Sequence, residues 1–276
     1  MIDLLRISEQ LILTPDGIWT TPNHKDLAFL AEDVTDWIQA EENSFWYHHR
    51  NRCFIEILKH FSPKGTLFEV GAGNGSVSLS LQKQELSIVA IEPTVKMAYQ
   101  AKRRGVNHVI CATLESAKIK EGSLANVGMF DILEHIPNDE SFLRQVRRLM
   151  PPAGRFYCSV PSYPFLWSCE DEAAGHLRRY RLTSLCKKIN RSGFEIEYAS
   201  YFFAPLILPI LMVRALPSWF GLRGKRTHQS TMREHQLRPG LVCTLLERAL
   251  EWELSSLSRG KRHRFGTSCI VVARAV

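Results

Sequence analysis

Ten residues constrain this chain more than any others: Leu67 to Ser76, reading LFEVGAGNGS. Leu67, Phe68 and Val70 make a short apolar run of the kind that forms a buried strand. The run breaks into Gly71, Gly73 and Gly75, and residues 77–82 then read as a helix. Strand, glycine turn and helix in that order form a βα unit that holds a nucleotide. Glycine lacks a Cβ, so the turn can tighten and its backbone can lie against a ligand. A dinucleotide fingerprint, G-x-G-x-x-G, would place its third glycine at position 76. Ser76 stands there, and the glycine falls one place early at Gly75. The spacing disfavours a dinucleotide oxidoreductase.

The rest of the chain reads as an α/β fold. Strands are expected over 86–91, 109–114, 124–130, 156–160, 195–200 and 269–273, the last inserting antiparallel beside the sixth. Helical spacing of apolar residues predicts helices over 26–40, 45–61, 95–104, 182–192 and 241–257, with Gly105 closing the third. In an open α/β sheet the ligand lies over the carboxyl ends of the strands. Glu69, Glu92, Asp131 and Pro161 should converge there. Glu92, at the end of the second strand, can accept hydrogen bonds from both hydroxyls of a ribose.

Composition narrows the partners without choosing one. Lys and Arg number 35 against 28 Asp and Glu, a formal charge of +7. That balance favours phosphate, carboxylate, nucleic acid or an anionic membrane surface. Seven cysteines without a C-x-x-C pair argue for a reducing compartment and against zinc. The first ten residues, MIDLLRISEQ, do not read as a signal peptide. A cytoplasmic location is expected, with contact at the inner face of a membrane left open. Residues 201–226 are apolar and then basic, ending in Arg214, Arg223, Lys225 and Arg226. Pro205 and Pro209 interrupt the run, which speaks against a transmembrane helix. It reads as an amphipathic cap over a substrate site, a surface dip into a bilayer, or a packed core or dimer face.

Three stretches carry a family resemblance. Glu69 to Gly75 has the E-x-G-x-G-x-G pattern and resembles the first motif of class I S-adenosylmethionine-dependent methyltransferases. Asp131 to Pro137, reading D-I-L-E-H-I-P, resembles the fourth-strand region of small-molecule methyltransferases, with Pro151-Pro152-Ala153-Gly154 where P-G-G is usual. Trp167, Ser168, Asp171, Glu172, Gly175, His176, Arg178, Arg179 and Tyr180 match a W-S-x-x-D-E-x-x-G-H-x-R-R-Y stretch found in a subgroup of bacterial class I methyltransferases.

The resemblance implies a Rossmann-like, seven-stranded sheet with N-terminal helices and a helical insertion before the last strand. Residues 1–45 would be an N-terminal helical cap and 46–200 the cofactor-binding core. Residues 201–265 would be an acceptor cap and 266–276 the last strand. The implied activity is methyl transfer from S-adenosylmethionine to an O, N or C nucleophile of a small-molecule or lipid-linked, anionic acceptor. Cofactor contacts are expected at Arg50, Glu69, Gly71, Gly73, Gly75, Glu92, Pro93, Thr113, Leu114 and Phe130. Arg50 would hold the cofactor carboxylate, as an arginine at similar spacing does in methyltransferases of ubiquinone synthesis; a guanidinium matches a carboxylate as a two-pronged donor. Many methyltransferases have an aspartate near position 113 for the adenine amino group, and Thr113 departs from that.

Asp131, His135 and His176 are the candidate bases, since histidine exchanges a proton near neutral pH. Tyr47, Trp167, Arg178, Arg179 and Tyr180 are candidate acceptor contacts. No metal is expected, and a homodimer stays open. The nucleic-acid alternative lacks the Asn/Asp-Pro-Pro-aromatic motif of N-methylases at strand four. A non-catalytic, membrane-associated cofactor-binding protein is the remaining alternative.

Overall fold

The computed structural model describes residues 3–22, 41, 44–222 and 240–276. The short apolar runs form strands because both of their faces are covered. Every residue of β3 (Leu67–Val70), β4 (Ile88–Ile91), β5 (Val109–Cys111) and β6 (Asn126–Phe130) is buried. Burial on both faces explains why these strands read as continuous rather than alternating hydrophobic runs. Two edge strands, β1 (Ile12–Leu13) and β2 (Trp19–Thr20), precede them. After them come β7 (Arg155–Pro161), β8 (Phe194–Phe202) and β9 (Ser268–Ala275).

The nine strands lie in the order β1-β2-β5-β4-β3-β6-β7-β9-β8. β5, β4, β3, β6 and β7 run parallel, so their carboxyl ends share one edge. β9 lies antiparallel between β7 and β8, as the sequence suggested. The expected seven strands form the core of this sheet. The count differs because β2 adds to β5 in parallel and β1 pairs with β2. The described part of the expected N-terminal helical cap thus extends the sheet. The helix expected over 26–40 and the basic residues Arg223, Lys225 and Arg226 lie outside the described residues.

Helices cover both faces. α1 (Phe45–His60) leads into β3, and α2 (Ser76–Gln82) follows the glycine turn. α3 (Val95–Arg103), α4 (Asp139–Leu149), α5 (Cys169–Ala174) and α6 (Leu182–Arg191) come next. Between β8 and β9 the chain forms α7 (Ile207–Ile210), a π-helical stretch Leu211–Ala215, α8 (Leu216–Trp219) and, further on, α9 (Leu241–Ser258). α9 is fastened to α1 and to the start of this insertion by one buried carboxylate. Glu253 accepts from the Phe203 and Ala204 N–H groups at 2.8 and 2.7 Å and lies 2.9 Å from His49 Nε2. A carboxylate so fully partnered pins three elements together.

Candidate active site

A cavity of about 460 Å³ opens at the carboxyl edge of the sheet. Its floor is the glycine turn, and its walls come from α1, the β6 exit, α5 and the insertion. Gly71, Ala72, Gly73 and Asn74 line it directly. Gly73 has φ +55°, and a Cβ built there meets nothing within 4 Å. Its N–H donates to Glu92 Oε2 at 2.9 Å, and the Thr94 N–H donates to Oε1 at 2.8 Å. The carboxylate from the end of β4 is thereby seated against the turn from the end of β3. Gly75 does different work. A Cβ there would lie 2.8 Å from Ala101 Cβ and from Val106 Cγ2, so its bareness lets α2 pack on α3.

Arg50 and Asp131 meet as an ion pair in the cavity wall. Asp131, at the exit of β6, holds φ +57°. Its N–H donates to the Ser159 carbonyl at 3.0 Å, and the Ser159 hydroxyl donates to Oδ1 at 2.8 Å. Arg50 donates to Oδ2 at 3.0 Å. The guanidinium lies 4.9 and 4.7 Å from the centroids of the Trp46 and Tyr47 rings, which themselves meet edge to face, so it has two cation–π contacts. Burial pushes the Tyr47 phenol upward, with Glu41 adding to the effect. Glu69 lies beneath the turn and accepts from the Ser78 hydroxyl. Burial raises its carboxyl to about 7, against the opposing pull of that hydrogen bond.

The opposite wall carries two histidines. His135 Nδ1 lies 3.1 Å from the Gly175 carbonyl, and His176 Nδ1 lies 2.8 Å from Asp171 Oδ1. Asp171 also accepts from Arg179 Nε at 2.8 Å and caps α5 through Ser168. Burial alone would raise its carboxyl, but the His176 and Arg179 interactions hold it below the ordinary range. The two imidazoles meet edge to face, 4.9 Å between centroids. Burial lowers the His135 pKa, and His176 lowers it further. Behind them Glu134 is fully buried, and neither of its carboxylate oxygens has a hydrogen-bond partner among the described residues. Burial raises its pKa strongly, with Asp131 adding to the rise.

Ten of the eighteen candidate cofactor, base and acceptor residues line one cavity. They are Tyr47, Arg50, Glu69, Gly71, Gly73, Phe130, Asp131, His135, His176 and Arg179. The others do not line it. Gly75 and Glu92 shape the turn from outside. Pro93 follows Glu92 and is exposed. Thr113 closes an exposed turn with Ser116, and Leu114 belongs to the core. Trp167 lies 3.5 Å from Glu172 at the base of α5. Arg178 pairs with Asp139 at 3.1 Å, and the Tyr180 hydroxyl donates to the same carboxylate at 2.8 Å. These last two tie the loop to α4, away from the cavity. Ser159, Asn51 and Glu134 escaped the sequence reading of the site. Asn51 shares its carbonyl with Arg50 and donates to Ser76 and Ser80. Only Glu134 lay inside a recognisable motif.

Comparison with known proteins decides the family. Residues 45–199, more than half of the chain, match the family described as a methyltransferase domain. The chain belongs to this methyltransferase family. A ubiquinone biosynthesis O-methyltransferase of Xanthomonas oryzae pv. oryzae is 23% identical over 100 residues. The match spans 34% of this chain and 42% of that relative's length. A Haloferax volcanii methyltransferase, solved with its Trm112 activator, superposes with TM-score 0.54 at 12% identity, covering 88% of this chain and 97% of that one. Phosphoethanolamine N-methyltransferase 2 of Haemonchus contortus, solved with phosphomonomethylethanolamine and S-adenosylhomocysteine, gives 0.50 at 14% identity, covering 79% and 51%. At such identities the superpositions speak for the fold alone, that of the class I methyltransferases. The expected family and fold therefore hold for this chain.

Proposed function

We propose that the chain transfers the methyl group of S-adenosylmethionine to an O, N or C nucleophile on a small-molecule or lipid-linked acceptor. One observation carries the reading. The glycine turn with Glu92 seated on it opens into the same cavity as Asp131 and the histidine wall. In this arrangement the nucleoside lies along the turn, its ribose near Glu92 and its amino-acid end toward Arg50. The sulfonium already activates the methyl group, so the protein's part is alignment and exclusion of water. Activation of a protonated acceptor falls to the wall bearing Asp131, His135 and His176. Arg179, which also faces the cavity, suits an anionic acceptor. The Xanthomonas relative's name supports oxygen as the nucleophile, and the Haemonchus complex supports the cofactor. Calorimetric titration with S-adenosylmethionine and S-adenosylhomocysteine tests the proposal. One site per chain is expected, lost in Glu92→Ala with the fold intact. A folded wild type that binds neither ligand removes the reading.

A specific surface favours a lipid-linked acceptor. Ile210 and Arg214, one helical turn apart, line the cavity. Leu208, Met212, Trp219, Phe220 and Leu222 of the same segment are exposed. The insertion would present one face to the acceptor and another to a bilayer, with Arg223, Lys225 and Arg226 following in the sequence. No described helix is long and apolar enough to cross a membrane.

A further inference from the structure

Arg50 is gripped by a neighbour that does not itself line the cavity. Asn51 Oδ1 accepts from Arg50 Nε at 3.3 Å and from Nη2 at 3.2 Å. Adjacent side chains on a helix do not ordinarily face each other, so this contact needs a second hold on the amide. α2 supplies it. Asn51 Nδ2 donates to Ser80 Oγ at 3.0 Å, to Ser76 Oγ at 3.2 Å and to the Ser76 carbonyl at 3.4 Å. The Ser80 hydroxyl directs its own proton to that carbonyl at 2.9 Å, which leaves its oxygen to accept. The network allows one orientation of the amide. The guanidinium demands an oxygen on its side, and the carbonyl demands an N–H on the other.

The donors that remain on Arg50 follow by counting. A guanidinium carries five N–H groups in one plane. Asn51 takes Nε–H and one hydrogen of Nη2, and Asp131 takes one hydrogen of Nη1 at 3.0 Å. One hydrogen on each terminal nitrogen is left without an acceptor among the described residues. Arg50 lines the cavity. Two N–H groups on one guanidinium match the two oxygens of one carboxylate.

We propose that Asn51 is the positioning residue that aims Arg50 at the carboxylate of the cofactor. This rests on the methyl-transfer reading and names the residue that joins the two ends of its cofactor site. Ser76 opens α2 directly after the glycine turn and lines the same cavity. Through Asn51, the arginine at the amino-acid end is fastened to the helix that follows the nucleoside end. Asp131 is fixed in turn, since the Ser159 hydroxyl donates to its other oxygen at 2.8 Å. Without Asn51 the guanidinium keeps Asp131 alone as a hydrogen-bonded partner and can pivot about it. The carboxylate then meets one N–H in place of two. The consequence is selective: a ligand that carries the carboxylate loses affinity, and one that lacks it does not.

The test is calorimetry with S-adenosylmethionine and with decarboxylated S-adenosylmethionine, which keeps the nucleoside, the sulfonium and the amine. Wild type should bind the intact cofactor more tightly. Asn51→Ala should weaken S-adenosylmethionine by about tenfold, the scale of one hydrogen bond to a charged group. The decarboxylated ligand should lose less than about twofold on the same scale, which also reports that the variant is folded. Arg50→Met should abolish the preference, and Asn51→Ala should add nothing in that background, because Asn51 acts through the guanidinium. Ser80→Ala removes one of the amide's acceptors and should give a smaller loss of the same selective kind, so it carries the test if Asn51→Ala does not fold. Equal losses for the two ligands make Asn51 a packing residue and overturn the proposal. Additive losses with Arg50→Met overturn it too. Wild type that binds the two ligands equally overturns it and leaves the methyl-transfer reading standing. A folded wild type that binds neither removes both.

Discussion

The two glycines of the turn make opposite predictions when each is given a methyl group. Gly75→Ala places a Cβ 2.8 Å from Ala101 Cβ and Val106 Cγ2 and 3.0 Å from Ala101 Cα. The last of these is helix backbone and cannot swing aside. Overpacking of this kind costs about 1–3 kcal/mol. The left-handed backbone, φ +77°, adds roughly 1–2 kcal/mol for any residue with a Cβ. The sum is about 2–5 kcal/mol. In a chain of this size each kcal/mol lowers the melting temperature by roughly 2–4 °C. Gly73→Ala meets no atom of the protein and carries only the backbone term. Its methyl group instead enters the cavity where the proposal places the cofactor. Overpacking of about 1–3 kcal/mol there weakens binding roughly 5- to 150-fold. Thermal unfolding and calorimetry with S-adenosylmethionine separate the two. Gly75→Ala should lose most stability, and Gly73→Ala most affinity. In an Ala101→Gly background the Gly75→Ala penalty should shrink, because one of the three close contacts is gone. Equal stability losses at the two positions would refute the division of labour within the turn. So would a Gly75→Ala penalty unchanged by Ala101→Gly.

Two further outcomes follow from burial and exposure. The Glu69 carboxyl rises from 4.5 to about 7 in the folded protein. Its favourable contribution is therefore complete below about pH 4.5 and lost as pH climbs through 7. At 1.36 kcal/mol per pKa unit, Glu69→Gln should be roughly 3 kcal/mol more stable than wild type at pH 8 and equal to it at pH 4. Urea unfolding at both values reads this, and an identical difference at the two would remove the assignment. If the exposed face of the insertion meets a bilayer, the protein should sediment with phosphatidylglycerol vesicles and less so in high salt. Phe220→Asp, which removes an exposed aromatic contact, should lower that binding by about tenfold, from roughly 1.5 kcal/mol or more of lost burial. Equal sedimentation of variant and wild type would exclude this face.

What was legible in the sequence was what the backbone dictates. The E-x-G-x-G-x-G spacing exposes the strand, the turn and the helix at once, because a positive φ at each glycine is a local demand. The parallel strands were legible because burial on both faces makes them mostly apolar runs, with Glu69 and Asn126 among the exceptions. β1 and β2 were not, since two-residue strands have no periodicity and exist only through pairing, β2 with β5 and β1 with β2. The site residues divide by the same logic. Arg50, Asp131 and His176, singled out by spacing and motif, do line the cavity. Where each side chain points, however, depends on partners distant in the chain. Arg178 and Arg179 are adjacent and chemically alike. Arg179 turns to Asp171 and the cavity, while Arg178 turns to Asp139 and away from it.

That last contrast bears on how the loop from 162 to 180 works. Asp171 receives His176 and Arg179 together, and Asp139 receives Arg178, Tyr180 and Lys188. Two carboxylates thus hold the motif's basic and aromatic residues in two separate sets. One set aims His176 and Arg179 at the cavity. The other anchors the loop's exit to α4. A motif that reads as a single cluster of binding residues is, in three dimensions, a binding edge and its mooring. Of the two arginines only Arg179 lines the cavity, and Arg178, paired with Asp139, keeps the loop in place.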